Sequence, residues 1–270
     1  MDKMYEMMTV VAKDLNGDGA MDEFDQWGLV SQYGCGMQLF NGAGESIAKI
    51  NSSSGLPEIT MYSQRAINVC DKILNIQGDK SVTIHADDYF SKYPNDTVWD
   101  EMQLVVFNTN RALFYFSGMN RVTLLRSMET DFGILPPPKF DEAQPEYHSS
   151  LNPWCTSSVL IPITVADTER TGMIIEALAA ESKYTLLPAY YDITLKTKLA
   201  RDDESQEMLD LIFTSRMYDI GQMYGWGNAE SFYHTLVSGS NNITSFWEKN
   251  EIRIKNAMEK TINQIIELDR

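Results

Sequence analysis

Apolar side chains first recur at helical spacing near the amino end, where Met4, Met7, Met8 and Val11 predict the end of an amphipathic helix over about 2–13. Trp27-Gly28-Leu29-Val30 then predicts a short strand, and Gly34, Gly36, Gly42 and Gly44 punctuate a loop-rich stretch reaching about Pro57. Ile67, Cys70, Ile73 and Leu74 form the stripe of a helix over about 61–77, with Gly78 as its stop. Ala112-Leu113-Phe114-Tyr115-Phe116, Asp131-Phe132-Gly133-Ile134-Leu135 and Val159-Leu160-Ile161-Pro162-Ile163 read as strands, the last one buried. Asp167 is placed to cap a helix over about 168–182, with Met173, Ile174, Ala177, Leu178 and Ala180 inward. Pro188-Ala189-Tyr190-Tyr191-Asp192 reads as a loop, and Met208, Leu211, Ile212 and Met217 predict a helix over about 203–219. Ser245-Phe246-Trp247-Glu248 fits a capping box opening a last helix at about 246–268. Short strands alternating with helices predict an α/β fold.

Composition narrows the class. The chain has 270 residues, 43% hydrophobic and 11% aromatic, enough to bury a core and too many for one small domain. Asp and Glu outnumber Lys and Arg by 38 to 22, a formal charge of −16, which speaks against a nucleic-acid partner. No run reaches about 18 uncharged apolar residues, so no membrane span is predicted. Cys35, Cys70 and Cys155 are odd in number and far apart, which argues against a disulfide or zinc framework and for small buried apolar residues. Met1 to Met8 lack the apolar core of a signal peptide, which taken alone reads as cytoplasmic.

The most specific local pattern is acidic. Asp14, Asn16, Asp18, Asp22 and Asp25, with the carbonyl of Ala20 and a Gly at position 19, fill positions 1, 3, 5, 9, 12, 7 and 6 of a twelve-residue calcium loop. Calcium takes six to eight hard oxygen ligands, and that spacing supplies them. Asp at position 12 in place of Glu resembles the calcium loops of dockerins, and Gln26-Trp27-Gly28 leaves the loop as strand, which excludes a paired EF-hand sensor. Magnesium fits less well, and a solvated Asp/Asn/Gly turn is the plainer alternative.

Motifs for catalysis are missing: no GxSxG, P-loop, HExxH or GxGxxG follows a strand. His85, His148 and His234 stand apart in the sequence, and His148 reads as a surface residue. Asp87-Asp88 and Asp202-Asp203-Glu204 read as a solvated face and a helix start. Trp27, Tyr33, Tyr147, Trp154, Tyr190, Tyr191, Tyr224 and Trp226 lie in or beside loops. Aromatic faces there suit stacking on a pyranose, or simply pin the loops to the core.

Asp131-Phe132-Gly133-Ile134-Leu135-Pro136-Pro137-Pro138-Lys139 resembles the "fGilPxPK" segment of family 1 extracellular solute-binding proteins, the carbohydrate-type receptors of ABC importers. Gln144-x-x-Tyr147, Ile161-Pro162-Ile163, Glu176 to Ser182, Pro188 to Asp192 and Arg201 to Asp210 continue it in order, and Asp25-Gln26-Trp27-Gly28-Leu29 and the terminal helix are similar too. The resemblance implies a periplasmic-binding-protein-like (type II) two-lobe fold, present here incompletely: 1–140 and 198–270 as the C-terminal lobe, with the calcium-type loop at 14–25, and 141–197 as a segment returning to the N-terminal lobe. An N-terminal portion of the family's length would be missing, and the absent signal peptide with it. The returning segment would then expose apolar surface.

The function so implied is a substrate-binding component that captures a carbohydrate, such as an oligosaccharide, between lobes and passes it to permease subunits. It would perform no chemistry. The full-length form would be extracellular, anchored by lipidation and monomeric. Trp154 is the favoured stacking residue, Asn120 and Arg121 are hydroxyl contacts, and Tyr147, Asn152, Tyr33 and Trp226 complete the expected set. Two other readings stay open: a glycan-active hydrolase using Asp87, Asp88 or Asp192, and a calcium-stabilised adhesion or structural module.

Overall fold

The computed structural model describes residues 1–95, 97–155, 157–199, 203–237 and 242–268; the side chains of Trp154, Asp203 and residues 196–199 lie outside that description, as do Arg201 and Asp202. The chain is mixed α/β, 55% helical with small sheets. α1 (Asp2–Val11) turns Met4 and Met8 inward against β1 (Trp27–Ser31). The two touch at Gly28, where a Cβ would stand 2.4 Å from the Met8 Cβ, so no larger residue fits.

All five residues of β1 are buried. Such a continuous apolar run belongs to a parallel strand covered on both faces. α2 (Cys35–Gly42), a hairpin of β2 (Ala48–Ile50) and β3 (Pro57–Ile59), and α3 (Gln64–Gln77) lead to β4 (Thr83–His85). Ser63 caps α3 by accepting the Ala66 N–H at 3.0 Å. A 3₁₀ turn (Ala86–Tyr89), a π-helical turn (Val98–Gln103) and α4 (Leu104–Asn108) then lead to β5 (Ala112–Tyr115). The sheet order is β4-β1-β5, all parallel, with Val30 opposite Ile84 on one side and Tyr115 on the other.

β6 (Ser149–Ser150), α5 (Thr168–Glu181), α6 (Asp203–Thr214), β7 (Arg216–Met217), α7 (Ile220–Tyr224) and α8 (Ile243–Leu268) follow, and β6 pairs in parallel with β7. The largest core gathers α1, α2, α3, the 3₁₀ segment Trp226–Val237 and α8 around Leu29, Phe40 and Phe232. A second, on Val30 and Ile84, lies under residues 98–107. A third holds Val122, Ile134, Leu195 and Leu209.

Several expectations are corrected. Residues 131–135 carry no regular secondary structure and join no ladder among the described residues: the Ile134 N–H goes to Ser205 Oγ at 3.0 Å, and the three prolines that follow have no N–H to give. Val159 to Ile163 is neither strand nor buried, since Val159 is 74% and Ile163 96% exposed. α5 forms under its Asp167 cap, which accepts the Arg170 N–H at 2.8 Å, yet its inward face is absent: none of its residues is buried. Nothing among the described residues packs on it closely enough to cover Met173, Ile174 and Leu178. Residues 188–192 are π-helical, part of Pro188–Leu199, where a loop was expected. The 203–219 helix ends at Thr214 because Arg216 and Met217 pair with Ser149 and Ser150, and Asp219 caps a new helix. α8 starts at Ile243, with the Phe246 N–H on Asn242 O at 2.8 Å, so Ser245 lies inside its first turn and is not the cap. Cys155 is exposed, unlike Cys35 and Cys70.

Candidate functional site at the carboxyl edge of the parallel sheet

Parallel strands send their chains out at one edge, and there an open α/β sheet offers backbone and side-chain polar groups to a ligand. β1 leaves through Ser31, Gln32 and Tyr33, β4 through His85, Asp87 and Asp88, and β5 through Ser117, Asn120 and Arg121. The Phe116 N–H on Val30 O at 3.2 Å extends the β1–β5 ladder to that edge. Three of the expected ligand residues, Tyr33, Asn120 and Arg121, therefore share it.

Tyr33 is the hinge of this edge. Its backbone N–H donates to Asp87 Oδ2 at 2.8 Å, and its hydroxyl donates to Asp88 in a very short contact. Its half-buried ring stands edge-on to His85 at 5.1 Å and to His234 at 6.1 Å between centroids. Burial and then the Asp88 hydrogen bond raise the Tyr33 phenol well above its ordinary range. Burial likewise raises the Asp87 carboxyl.

Behind Tyr33, His85 is 1% exposed. Its Nε2 lies 2.7 Å from Gln77 Oε1, and Gln77 Nε2 donates to Ser31 Oγ at 3.0 Å. Nδ1 has no hydrogen-bond partner. Burial pulls the imidazole from 6.5 down to about 4, so it is neutral at pH 7. Gln32 faces the other side of the sheet, where its Nε2 donates to Gln103 Oε1 at 2.9 Å; Gln103 is fully buried and its own Nε2 is also without a partner. Gln103 ends the π-helical turn, the kind of irregularity that re-aims a side chain. Arg121 is bound to Asp100 in another very short contact, and Asn120 is exposed, with its carbonyl taken by Thr123 Oγ1 at 2.9 Å.

The other expected ligand residues lie elsewhere. Trp226 is buried against α8, stacked on Tyr224 at 5.0 Å, with Nε1 donating to Thr261 Oγ1 at 2.9 Å. It borders an apolar groove of about 320 Å3 that includes Leu56, Ile220, Ile262 and Ile265. Tyr147 carries the Lys139 ammonium 4.5 Å over its ring, and Asn152 is exposed, its carbonyl accepting the Cys155 N–H at 3.1 Å. Both belong to the segment beside the far end of α2, where Gln144 Nε2 holds Gly42 O at 2.8 Å. Cys35 and Gly42 stand about 10 Å apart along that helix, and Cys35 is the end at the strand edge, with Sγ 3.8 Å from Phe116 O. The side chain of Trp154 lies outside the described residues.

The acidic loop is fully wound. Asp14 accepts N–H groups from Gly17 at 2.6 Å and Gly19 at 2.9 Å, Asn16 from Asp18 at 2.9 Å, Asp18 from Ala20 at 2.8 Å and Asp22 from Phe24 at 2.8 Å. Those N–H groups hold the Asp14 carboxyl below its ordinary value. Gly17 and Gly19 take φ of +75° and +83°, which side chains disfavour. Asp25, fully buried, closes the loop on Leu15 N at 2.8 Å and Asp22 N at 2.9 Å, and Lys13 and Gln26 bridge its ends. The side-chain donors are oxygens only, as a hard cation requires. Among the described residues, no three His, Cys, Asp or Glu side chains gather into a metal cluster. The donor types and the loop path are those of a calcium loop, while the oxygens of Asp14, Asn16, Asp18 and Asp22 are turned to the loop's own N–H groups.

Sequence reasoning missed His85, Gln77, Gln32 and Gln103. For Gln32 and His85 the available signal was positional, polar residues just after the apolar runs ending at Val30 and Ile84; Gln77 and Gln103, at the ends of a helix and a π-helical turn, carried none. No protein-family model, curated protein or solved structure matches the chain. The likeness to the solute-binding family is carried by the quoted segments alone.

Proposed function

We propose that the chain is part of a substrate-binding component of an ABC importer, which captures a carbohydrate-type solute without transforming it. The observation that carries this reading is the convergence of Tyr33, Asn120 and Arg121 on one edge of a parallel sheet, backed by buried side chains with unused hydrogen-bonding capacity. A solute cleft uses such groups to replace the hydration of hydroxyls. The exposed apolar face of residues 159–193 supports the two-lobe, periplasmic-binding-protein-like part of the reading, since a second lobe is what would cover it. In the same reading the protein acts outside the cell, anchored by lipid, and delivers its solute to permease subunits.

Calcium belongs to this proposal as a structural ion. Asp14, Asn16, Asp18, Asp22, Asp25 and the Ala20 carbonyl would hold it, and its charge would fix the loop that enters β1.

Calorimetric titration with a panel of neutral oligosaccharides tests the reading. Saturable binding that weakens about tenfold in Tyr33→Ala, with the sugar recovered unchanged, is expected. Hydrolysed sugar, or no binding across the panel, overturns it.

A further inference from the structure

β5 is an edge strand: among the described residues it pairs with β1 alone. Trp27 donates its N–H to Arg111 O at 2.8 Å, so by the alternation of a parallel ladder Ala112 and Phe114 turn their N–H and C=O groups outward. No protein group among the described residues meets them there. Such a row is a template for another strand unless a charge, a proline or a cover blunts it. Residues 112–115 hold neither charge nor proline. Beside them, Met7, Val10 and Val11 of α1 and Leu113 of β5 line a groove of about 310 Å3, together with Lys3 and Glu6. Val10 and Leu113 are exposed.

The same chain carries a strand without a sheet. Residues 159–163 have the composition of a buried strand, yet Val159, Leu160 and Ile163 are exposed and the segment joins no ladder. Laid parallel to β5, as every pair in that sheet is, Ile161 stands opposite Leu113. Its N–H then meets Ala112 O, its C=O takes the Phe114 N–H, and the Ile163 N–H meets Phe114 O. Val159, Ile161 and Ile163 share the face of Leu113, which is the face of the groove. Pro162, which has no N–H to give, falls on the side turned away from β5, the one place where an added edge strand tolerates it. The Pro162 carbonyl keeps its own bond from the Val165 N–H, at 3.0 Å.

We propose that a second copy of this chain lays residues 159–163 along β5 as an added parallel strand, with Val159, Ile161 and Ile163 in the groove beside α1. Main-chain hydrogen bonds supply the hold and the groove supplies the register, as in other cases of strand addition. Each chain brings one strand and one edge, so the contact is heterologous: two chains that exchange strands close into a pair, and chains that do not grow end to end. This departs from the monomer that the family likeness implies, and it does not rest on the solute reading. The second lobe of that reading and a second copy compete for the same segment.

Analytical sedimentation of the full chain tests this. Between about 1 and 100 µM the mass is expected to rise above that of one chain. Ile161→Pro removes the central N–H of the donated strand, and Leu113→Lys puts a charge on the accepting edge; each alone is expected to weaken self-association about tenfold or more. Mixed, the two variants leave one sound strand and one sound edge, so a one-to-one complex is expected to return and to grow no further. A peptide of residues 157–165 is expected to compete with wild-type association, which decides the matter even where a variant fails to fold. A wild-type chain that stays single, association that the peptide leaves untouched, folded variants that associate as before, or a mixture that stays single overturns the inference. Oligosaccharide binding by a chain that stays single leaves the importer reading standing and removes this one; association without binding of any sugar does the reverse.

Discussion

The Asp219 carboxylate reaches the backbone of Ile47 across 172 residues of chain: Oδ2 accepts the Ile47 N–H at 2.8 Å inside the protein. Oδ1 takes Ala48 N at 3.3 Å and caps α7 through Gly221 N at 3.0 Å. One buried side chain thus ties the hairpin to the last third of the fold.

Asp219→Ala is therefore expected to leave several buried N–H groups unpaired and cost about 3 kcal/mol. Urea denaturation measures it. A loss below about 1 kcal/mol would mean that the two segments are held by packing alone.

His85 makes stability depend on pH in a stated direction. Its folded value of about 4 lies below the ordinary 6.5, so between those values the unfolded chain binds the extra proton. Stability then rises with pH across that window and is lost as pH falls from 6.5 toward 4, by on the order of 3 kcal/mol. His85→Gln keeps a polar side chain there without the titration. The difference between wild-type and variant melting curves from pH 4 to 7 isolates the effect, and parallel curves would refute it.

The acidic loop gives two expectations. Millimolar calcium should raise the melting temperature of chelator-treated protein, and Asp14→Ala should abolish the rise. Without calcium, Asp25→Ala should destabilise more than Asp18→Ala, because Asp25 is buried and closes the loop while Asp18 is exposed. An unchanged melting temperature after chelation would leave the loop as a solvated turn.

Along residues 159–187 no apolar side chain belongs to any of the three described cores. Ile163→Glu and Leu178→Lys should change stability by no more than about 0.5 kcal/mol while reducing binding of an apolar dye. A large loss of stability from either would mean that the segment packs against the rest.

Local pattern made much of the fold legible. Ser63 and Asp167 announce their helices because a cap is a contact within four residues. β1 and β5 are readable because their apolar runs are bounded by turn residues. Val159 to Ile163 has the same composition and is no strand, because a strand needs a partner that composition cannot supply. The acidic loop is readable down to its positive-φ glycines, since the hydrogen bonds that wind it are local, whereas the hold of Lys92 and Arg111 on Glu23 is not. The strand edge is not. His85 and Tyr33 are 52 positions apart in sequence, and only the parallel register of β1 and β4 makes them neighbours. Trp226 looks the same in sequence whether it lines a cleft or fills a core; the contact with Thr261 puts it in the core.

The strand order β4-β1-β5 also sets a timetable for synthesis. Of these three strands β1 is made first, and it is flanked on both sides only once β4 has arrived with residue 85 and β5 with residue 115. Until residue 85 both of its hydrogen-bonding edges are free, and until residue 115 one still is, the condition in which strands join the wrong chain. Nascent chains stopped before residue 112 should therefore depend on a chaperone in a way that chains stopped past residue 116 do not.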